Sequence, residues 1–304
     1  MIDAPSLNSP PTRTPAPAGH VPPSTAPTPA LPERAAGPSP FAARLIGGAV
    51  QFGAMLAGFA LLLAVWHLVS LKNPDLPGPA KTLPVFWEML RNPTYDNGPN
   101  DKGIALQLLQ SLQRVFTGFG IGSLIAIPIG LLMGANRAIM RILNPVVQIL
   151  RPVSPLAWYP IGLTILRDSP KAVIFAIVIT SLWPTLINTM VAVSGLPQDF
   201  QNVARVFRFT PLQFATKVVI PFALPQILTG LRLSMGIAWV VIVAGEMLAG
   251  GTGVGYFVWD SYNAGSIEKV LCGILVIGIV GLGLDRIFEG ITQQVRRAAG
   301  LTTA

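Results

Sequence analysis

Residues 172–198, AVIFAIVITSLWPTLINTMVAVSGLPQ, decide the fold class, because 27 consecutive positions carry no charged side chain. At a rise of about 1.5 Å per residue, a helix of that length exceeds the roughly 30 Å hydrocarbon thickness of a bilayer. Of the 304 residues, 51% are hydrophobic and 11% are charged, whereas an ordinary soluble domain carries about 25% charged residues. The sequence therefore predicts an all-α, polytopic membrane protein.

Apolar runs on both sides of this segment predict six transmembrane helices. The stretch between Arg44 and Lys72 carries no formal charge and forms the first span. Prolines interrupt the third span, and such a density is tolerated in a membrane only where protein or a water-lined cavity satisfies the freed carbonyls. The predicted spans of a domain at 43–295 cover about residues 45–71, 111–135, 142–167, 171–197, 222–248 and 269–292.

The N-terminal region differs from the rest in composition. Residues 1–40 contain twelve prolines among alanine, serine and threonine, and almost no large apolar side chains. Such a segment cannot bury enough apolar surface to offset the entropy of ordering. It also lacks the short apolar core of a signal peptide. We predict a disordered cytoplasmic tail over residues 1–42.

Charge and residue usage exclude several classes of protein. The net charge is +8, but the basic residues are scattered at the ends of apolar runs, which favours contact with membrane lipid and argues against nucleic acid. His20 and His67 have no Cys or His neighbour at ligand spacing, so no metal site is expected. No Gly-x-x-x-x-Gly-Lys-Ser/Thr stretch occurs, and we expect neither a cofactor nor enzymatic activity in this chain.

Basic residues in the short loops indicate the orientation. With six spans both termini lie on one side, and an N-terminus in the cytoplasm places slightly more basic residues there than outside. The cytoplasmic set would comprise Arg44, Arg137, Arg141, Arg205, Arg208, Lys217, Arg286, Arg296 and Arg297. We predict that both termini are cytoplasmic.

Small residues recur every fourth position of the second span, at Gly118, Gly122, Ala126, Gly130 and Gly134. This spacing places them on one helix face, where another helix can approach closely. The partner helix belongs either to the same chain or to a second copy.

The predicted loop between spans four and five, at 199–221, contains NVARVFRFTPLQFATKVVIP from Asn202 to Pro221. It resembles the EAA loop of binding-protein-dependent ABC importers, whose pattern is Glu-Ala-Ala, a glycine four positions after the second alanine, and Ile-x-Leu-Pro ten onward. Asn202 stands at the place of the glutamate and Arg208 at that of the glycine. The spacing to Pro221 is intact.

Later segments narrow the resemblance. PFALPQILTGLRL at 221–233, Trp239 and AGEM at 244–247 are similar to permeases of the nitrate, bicarbonate, taurine and alkanesulfonate importers. WDSYNAG at 259–265 resembles the nitrate and bicarbonate branch. The resemblance covers about residues 45–295.

This resemblance implies a fold like that of type I ABC importer permeases and a set of partners. The expected partners are cytosolic ATP-binding subunits, an external solute-binding protein and a second permease copy, in a bacterial inner membrane. The loop would fold as a short coupling helix that lodges in a groove of each ATPase. The residues expected to contact the ATPase are Asn202, Val203, Ala204, Arg205, Val206, Phe207, Arg208 and Pro221.

A second group of residues is a candidate for the translocation path. These residues combine charge, hydroxyl groups and ring N–H donors within or near the spans: Arg151, Ser154, Trp158, Tyr159, Arg232, Trp239 and Glu246. A charge inside the hydrocarbon region is costly, so Arg232 needs a partner or water. It either pairs with Asp285 for structural reasons or lines an inner vestibule that attracts anions.

The substrate and the class of transporter leave alternatives. Nitrate or nitrite is the favoured solute, and bicarbonate, cyanate or a sulfonate such as taurine are alternatives. A secondary transporter would place acidic groups or histidine at mid-membrane, whereas Glu246 and Asp285 lie near predicted helix ends. A membrane protein without transport activity would leave the polar loop at 199–217 without a role.

Overall fold

The computed structural model of the protein describes residues 40–98 and 101–298, with side chains from 53 to 297 within these ranges. The predicted tail falls on residues outside the described part, except for positions 40–42, which already belong to the first helix.

Helices account for almost all of the described chain, as predicted, and in these ranges the only extended pairing is an isolated bridge between Asp96 and Lys102. Two short irregular turns also occur, a 3₁₀ turn at Pro155–Ala157 and a π-helical turn at Ala215–Val219. The α-helices are α1 Pro40–Lys72, α2 Pro79–Arg91, α3 Ile104–Ala135, α4 Arg137–Leu150, α5 Trp158–Leu166, α6 Ser169–Ser194, α7 Gln198–Val206, α8 Pro211–Phe214, α9 Ile220–Ala249, α10 Val254–Asn263 and α11 Ile267–Ala298.

Within the described part of the chain, five helical stretches are long and apolar enough to cross a bilayer by length and composition. They are residues 53–72, 104–135, 169–194, 211–249 and 267–297. Each contains or overlaps a predicted span, and most begin earlier than predicted. Helix α3 starts at Ile104 rather than near Ser111 because polar Gln107 and Ser111 are buried inside the protein.

The third predicted span takes a different form from the others. Gly118 of α3 faces Ile177 of α6, and Gly134 faces Val193. Since the residue numbers rise together, α3 and α6 run parallel, and the chain between Ala135 and Ser169 must return along their length. It does so through α4, an irregular turn at 151–157 and α5. The third predicted span is thus interrupted in the segment that contains Pro152 and Pro155, as their positions in the sequence predicted.

The small-residue strip of α3 packs against α6 of the same chain. A Cβ atom added at Gly122 would lie 2.6 Å from the Ser181 hydroxyl oxygen, and one added at Gly130 would lie 2.7 Å from the Leu186 carbonyl oxygen. The helix backbones therefore approach too closely for any larger side chain. The first of the two alternatives, contact within the chain, is confirmed.

Helix α9 lies between α6 and α11 and runs antiparallel to both. The hydroxyls of Ser234 and Thr185 lie 2.7 Å apart between α9 and α6. On the other side, Trp239 Nε1 donates to the Ile277 carbonyl of α11 at 3.1 Å. Hydroxyl groups suit this position because a membrane interior offers no water to buried polar groups.

The helix directions define two ends of the bundle. At the first, which we call the turn end, the starts of α3, α6 and α11 meet the end of α9 and the whole of α10. At the other, the loop end, α6 leaves the bundle, α7 follows, and the chain returns into α9. Asp168 caps α6 at the turn end, because its carboxylate accepts a hydrogen bond from the backbone N–H of Lys171 at 2.9 Å. This bond is the main reason why the pKa of the Asp168 carboxyl is lowered.

Candidate functional site

The loop-end helix α7 exposes its apolar side chains. Val203 is 53% exposed, Val206 79% and Phe207 69%, whereas Ala204 is only 7% exposed. Water disfavours such a surface on a nine-residue helix, which also has little intrinsic stability. The face formed by Val203, Val206 and Phe207, which we call the α7 face, therefore has the character of a contact surface for another molecule.

The end of α7 has a conformation that normally selects glycine. Arg208 has a φ of +50°. Its N–H donates to the Arg205 carbonyl at 3.1 Å, and the Phe209 N–H donates to the Ala204 carbonyl at 2.9 Å. These two bonds form a Schellman motif, in which the left-handed position is usually glycine. The resemblance found in the sequence places a glycine at this position, and the structure supplies the physical reason.

Beyond Arg208 the predicted loop joins α9 without a break. Thr210 and Gln213 form a capping box that starts α8, with bonds of 3.0 and 3.3 Å. The chain then passes through the π-helical turn, where the Ile220 N–H donates to the Ala215 carbonyl. Pro221 has no N–H of its own, and single π turns occur where the regular ladder is interrupted. The second half of the predicted loop is thus the first part of a helix that runs to Ala249.

A trough crosses the side of the bundle where α4–α5, α6, α9 and α11 meet. It consists of two adjoining cavities of about 360 and 620 Å³ that share Pro155, Leu233 and Ile237. We call it the central trough. The first cavity is also lined by Arg151, Val153, Thr180, Trp183, Pro184, Ile187 and Asn188, and the second by Thr229, Arg232, Gly236, Val240, Val241 and Asp285.

Arg232 is paired within the chain. Its Nε donates to Asp285 Oδ1 at 2.6 Å and its Nη2 to Oδ2 at 2.7 Å, which joins α9 to α11. Glu289 lies 3.6 Å from the same guanidinium. The predicted pairing with Asp285 is confirmed, and the paired group also lines the second cavity.

The other path candidates separate into two groups. Arg151 lines the first cavity, and Ser154 is exposed on the same turn. Tyr159 is buried, and its hydroxyl lies 2.8 Å from that of Ser169. Trp158 holds its indole nitrogen buried, with no hydrogen-bond partner among the described residues. Trp239 is hydrogen-bonded to α11. Trp158, Tyr159 and Trp239 all lie outside the trough lining, and a path role for them stays a prediction.

Glu246 lies at the turn end and is fully buried. Its carboxylate accepts from the Ser111 hydroxyl at 2.8 Å, from Arg114 Nη1 at 2.8 Å and from the Gly255 N–H at 3.0 Å. A buried carboxylate is tolerated when its charge and lone pairs are satisfied in this way. These bonds give Glu246 a structural task, and its predicted place on the path stays a prediction.

The same cluster holds the glycine-rich turn that follows α9. Arg114 Nη1 also donates to the Thr252 carbonyl at 2.6 Å, and the Val254 N–H donates to the Ser111 hydroxyl at 2.8 Å. Gly253 has a φ of +126°, and a Cβ added there would overlap the Glu246 carboxylate. We call Ser111, Arg114, Glu246 and the turn at 250–255 the turn clamp.

Sequence reasoning missed the α3 members of the turn clamp. A signal was present: Gln107, Ser111 and Arg114 follow a spacing of four and three residues, which places them on one helix face at the border of an apolar run. The partner across the bundle lies more than 130 positions away, and nothing in the spacing indicates it.

Comparison with known proteins agrees with this architecture. Residues 126–297 match the family described as "Binding-protein-dependent transport system inner membrane component". The chain belongs to this family of permeases. It is thus a multi-pass inner membrane protein and a transport subunit rather than an enzyme, and membership implies ATP-binding and solute-binding partners.

Individual permeases are similar over most of the chain. The nitrate import permease protein NrtB of Synechocystis sp. is 42% identical over 237 residues, which cover 78% of this chain and 86% of the relative. The bicarbonate transport system permease protein CmpB of Synechococcus elongatus is 41% identical over 246 residues, covering 80% and 88%. In fold, the chain is similar to a structure of the MetNI methionine ABC transporter, with a TM-score of 0.58, 17% identity, and coverage of 63% of this chain and 95% of the other.

Proposed function

We propose that this permease forms the membrane path of an ATP-driven importer for nitrate, and that α7 transmits the motion of cytosolic ATP-binding subunits to the bundle. The observation that carries the proposal is the exposed α7 face at the place where the sequence resembles a coupling loop. Relatives named for nitrate import support the solute.

The geometry of the loop end supports a coupling role. Val206 and Phe207 offer apolar surface, and Arg205 and Arg208 are exposed beside them. Such a combination fits a partner groove that has apolar walls and an acidic rim. Because the chain continues from the Schellman motif through the capping box into α9, a displacement of α7 is passed to a helix that reaches the turn end.

Charge placed on the α7 face tests this role. Val206→Asp and Phe207→Asp should each remove the ATP-binding subunits from the purified complex, since a carboxylate would have to be desolvated in an apolar contact. Ala204 is a poor choice for this test because it is buried in α7. The measurement is the yield of ATP-binding subunit that copurifies with the tagged permease, at equal permease in the membrane.

Gln198→Asp is the matched control. It adds the same charge to α7, but at an exposed polar position in the first turn, where a negative charge is favourable to the helix. It should leave copurification at the wild-type level. Wild-type yields for both α7-face variants would contradict the coupling role.

We further propose six crossings with both termini in the cytoplasm, the sixth being the return through α4 and α5. Cysteine labelling with a membrane-impermeant reagent tests this, since the chain has one cysteine, Cys272, which is buried. Asp75→Cys, in the exposed loop after α1, should react in intact spheroplasts. Gln198→Cys, exposed in the first turn of α7 and outside the α7 face, should react only after the membrane is opened, and the reverse pattern would overturn the orientation.

A second permease copy is part of the proposal. Leu233 and Val240, at the central trough, are 52% and 69% exposed, and a copy facing this side would close the trough into a path. Crosslinking between single cysteines introduced at position 240 of two copies should give a dimer, and crosslinking between copies carrying Leu68→Cys, on α1, should not.

Bicarbonate is the second candidate solute, because relatives named for bicarbonate transport are equally similar in sequence. Uptake of labelled nitrate and of labelled bicarbonate by a strain lacking the permease, with and without the restored gene, separates the two. We expect restoration of nitrate uptake.

A further inference from the structure

Two arginines line the central trough at a similar depth, and their surroundings differ. Arg151 lies in the first cavity beside the middle of α6, between Thr180 and Asn188. Arg232 lies in the second cavity, and Gly230, two residues before it, packs against Thr185 and Asn188 of α6. Both charges are therefore near the centre of a helix that is long enough to span the bilayer.

The charge of Arg232 is already neutralised. Asp285 binds its guanidinium through both carboxylate oxygens, and Glu289 adds a second negative charge at 3.6 Å. An anion that approaches this group meets carboxylates on the same helix face. Arg286 in turn pairs with Glu289 at 3.5 Å, so these four groups carry no net charge and attract a small anion only weakly.

Arg151 has no such neutralisation. Among the side chains described at 53–98 and 101–297, none of the ion pairs within 4.0 Å includes Arg151. A charge at mid-depth is costly unless water or a counter-charge reaches it. The side chain is exposed to the cavity, where a mobile counter-ion can reach it.

Two of the other polar side chains of the first cavity make internal hydrogen bonds, and Trp183 adds an indole N–H to the lining. The Thr180 hydroxyl donates to the Ala176 carbonyl at 2.7 Å. The Asn188 amide donates to the Pro184 carbonyl at 2.8 Å and accepts from Gln226 at 2.7 Å. The remaining wall is apolar: Val153, Pro155, Ile187, Leu233 and Ile237. Walls of low dielectric constant strengthen the field of a single charge.

We propose that Arg151, and not Arg232, is the residue that selects small planar oxyanions in the transport path, an inference that rests on the proposed function. The planar guanidinium presents parallel N–H donors that match two oxygens of a trigonal oxyanion. Among the described residues, Arg151 is the only charged group that lines the first cavity, the rest being apolar side chains and the neutral groups of Thr180, Trp183 and Asn188, so the anion is attracted without being held tightly. Arg232 joins α9 to α11 instead.

The test uses the whole transporter, with its ATP-binding subunits, reconstituted in vesicles together with the solute-binding protein. Arg151→Gln should lower the initial rate of labelled nitrate uptake by about tenfold, since the attraction of a full charge at a few ångströms is lost. Arg151→Lys retains the charge and loses only the planar fork, and should lower uptake by no more than about threefold. The ATP-binding subunits should copurify at wild-type levels with both.

Arg141→Gln is the matched control, because it removes an exposed arginine of α4, the helix that directly precedes Arg151, ten residues earlier and outside the trough. It should transport at the wild-type rate. Equal uptake by Arg151→Gln and Arg141→Gln would overturn the inference. So would a loss in both Arg151 variants that comes with loss of the copurifying ATP-binding subunits, since that pattern indicates a structural effect.

The same vesicles separate this inference from the proposed function. If the wild type imports bicarbonate instead of nitrate, the proposed solute is wrong, and the loss in Arg151→Gln must then be found for bicarbonate, which is also a planar oxyanion. Import of an uncharged solute alone would overturn both.

Discussion

The two ends of the bundle treat polar and apolar groups in opposite ways. At the turn end, Glu246 is fully buried and bonded to Ser111, Arg114 and Gly255, so the charge is satisfied inside the chain. At the loop end, Val206 and Phe207 are exposed, and the helix that carries them ends in an unfavourable backbone conformation at Arg208. One end is complete in itself, and the other has the features of a surface that a partner completes.

This difference indicates where stability and where function are located in the permease. Satisfied buried polar networks specify one arrangement and are costly to disturb. Exposed apolar side chains and a strained turn lower the stability of a single chain and persist where binding uses them. Substitutions at the turn end should therefore change stability, and those at the loop end should change association.

The largest effect is expected from Glu246→Ala. It leaves the half-buried Arg114 without its counter-charge and the Gly255 N–H without its acceptor, and the removal of one partner from a buried ion pair costs about 3–5 kcal/mol. The measurement is the temperature at which half of the purified, detergent-solubilised permease is lost from the monodisperse chromatographic peak. Glu289→Ala, at a partly exposed glutamate of α11, is the control and should shift that temperature far less. Equal shifts would show that the turn clamp is not a stabilising element.

A smaller loss of stability is expected from Gly253→Ala. A non-glycine residue at a φ of +126° is strained by roughly 1–3 kcal/mol, and the new Cβ would also displace the Glu246 carboxylate. Together these effects should destabilise the permease by about 3 kcal/mol.

Gly251→Ala is the comparison for that variant, because Gly251 also has a positive φ, +90°, but nothing lies within 4 Å of an added Cβ. It should show the backbone strain alone. If the two variants lose the same stability in the chromatographic assay, contact with Glu246 contributes nothing.

Local sequence patterns predicted the features that depend on near neighbours. Charge-free runs indicated the long helices, and the fourfold spacing from Gly118 to Gly134 indicated a close helix contact. The same patterns could not assign the partner of that contact, because α3 and α6 meet only through the return at 137–167. The partners of Glu246 were missed for the same reason, because Ser111 and Arg114 come from a helix distant in sequence.

At Arg208 the sequence indicated an unusual backbone position but not the conformation that the residue adopts. The resemblance to a loop with glycine at this place indicated a special backbone position, although the residue here is arginine. Only the backbone angles and the two bonds of the Schellman motif show that the left-handed conformation is retained with a side chain. The glycine of the resembling loop and the left-handed backbone of the Schellman motif fall on the same residue. A substitution at Arg208 can therefore test whether the strain contributes to partner binding.

The smallest effect, and one of opposite sign, is expected from Arg208→Gly. A side chain in the left-handed region costs about 1–2 kcal/mol, which glycine avoids at the price of some backbone entropy, so the isolated permease should gain about 1 kcal/mol. Arg205→Gly makes the same chemical change within α7 and should lose about 1 kcal/mol of helix stability. Both variants remove one positive charge beside the α7 face, and both should weaken binding of the ATP-binding subunits, measured by titration of those subunits onto the permease in nanodiscs. If Arg208→Gly is more stable than the wild type but binds the ATP-binding subunits more weakly, the strained arginine is present because it contributes to binding. Unchanged affinity would leave the strain without a function.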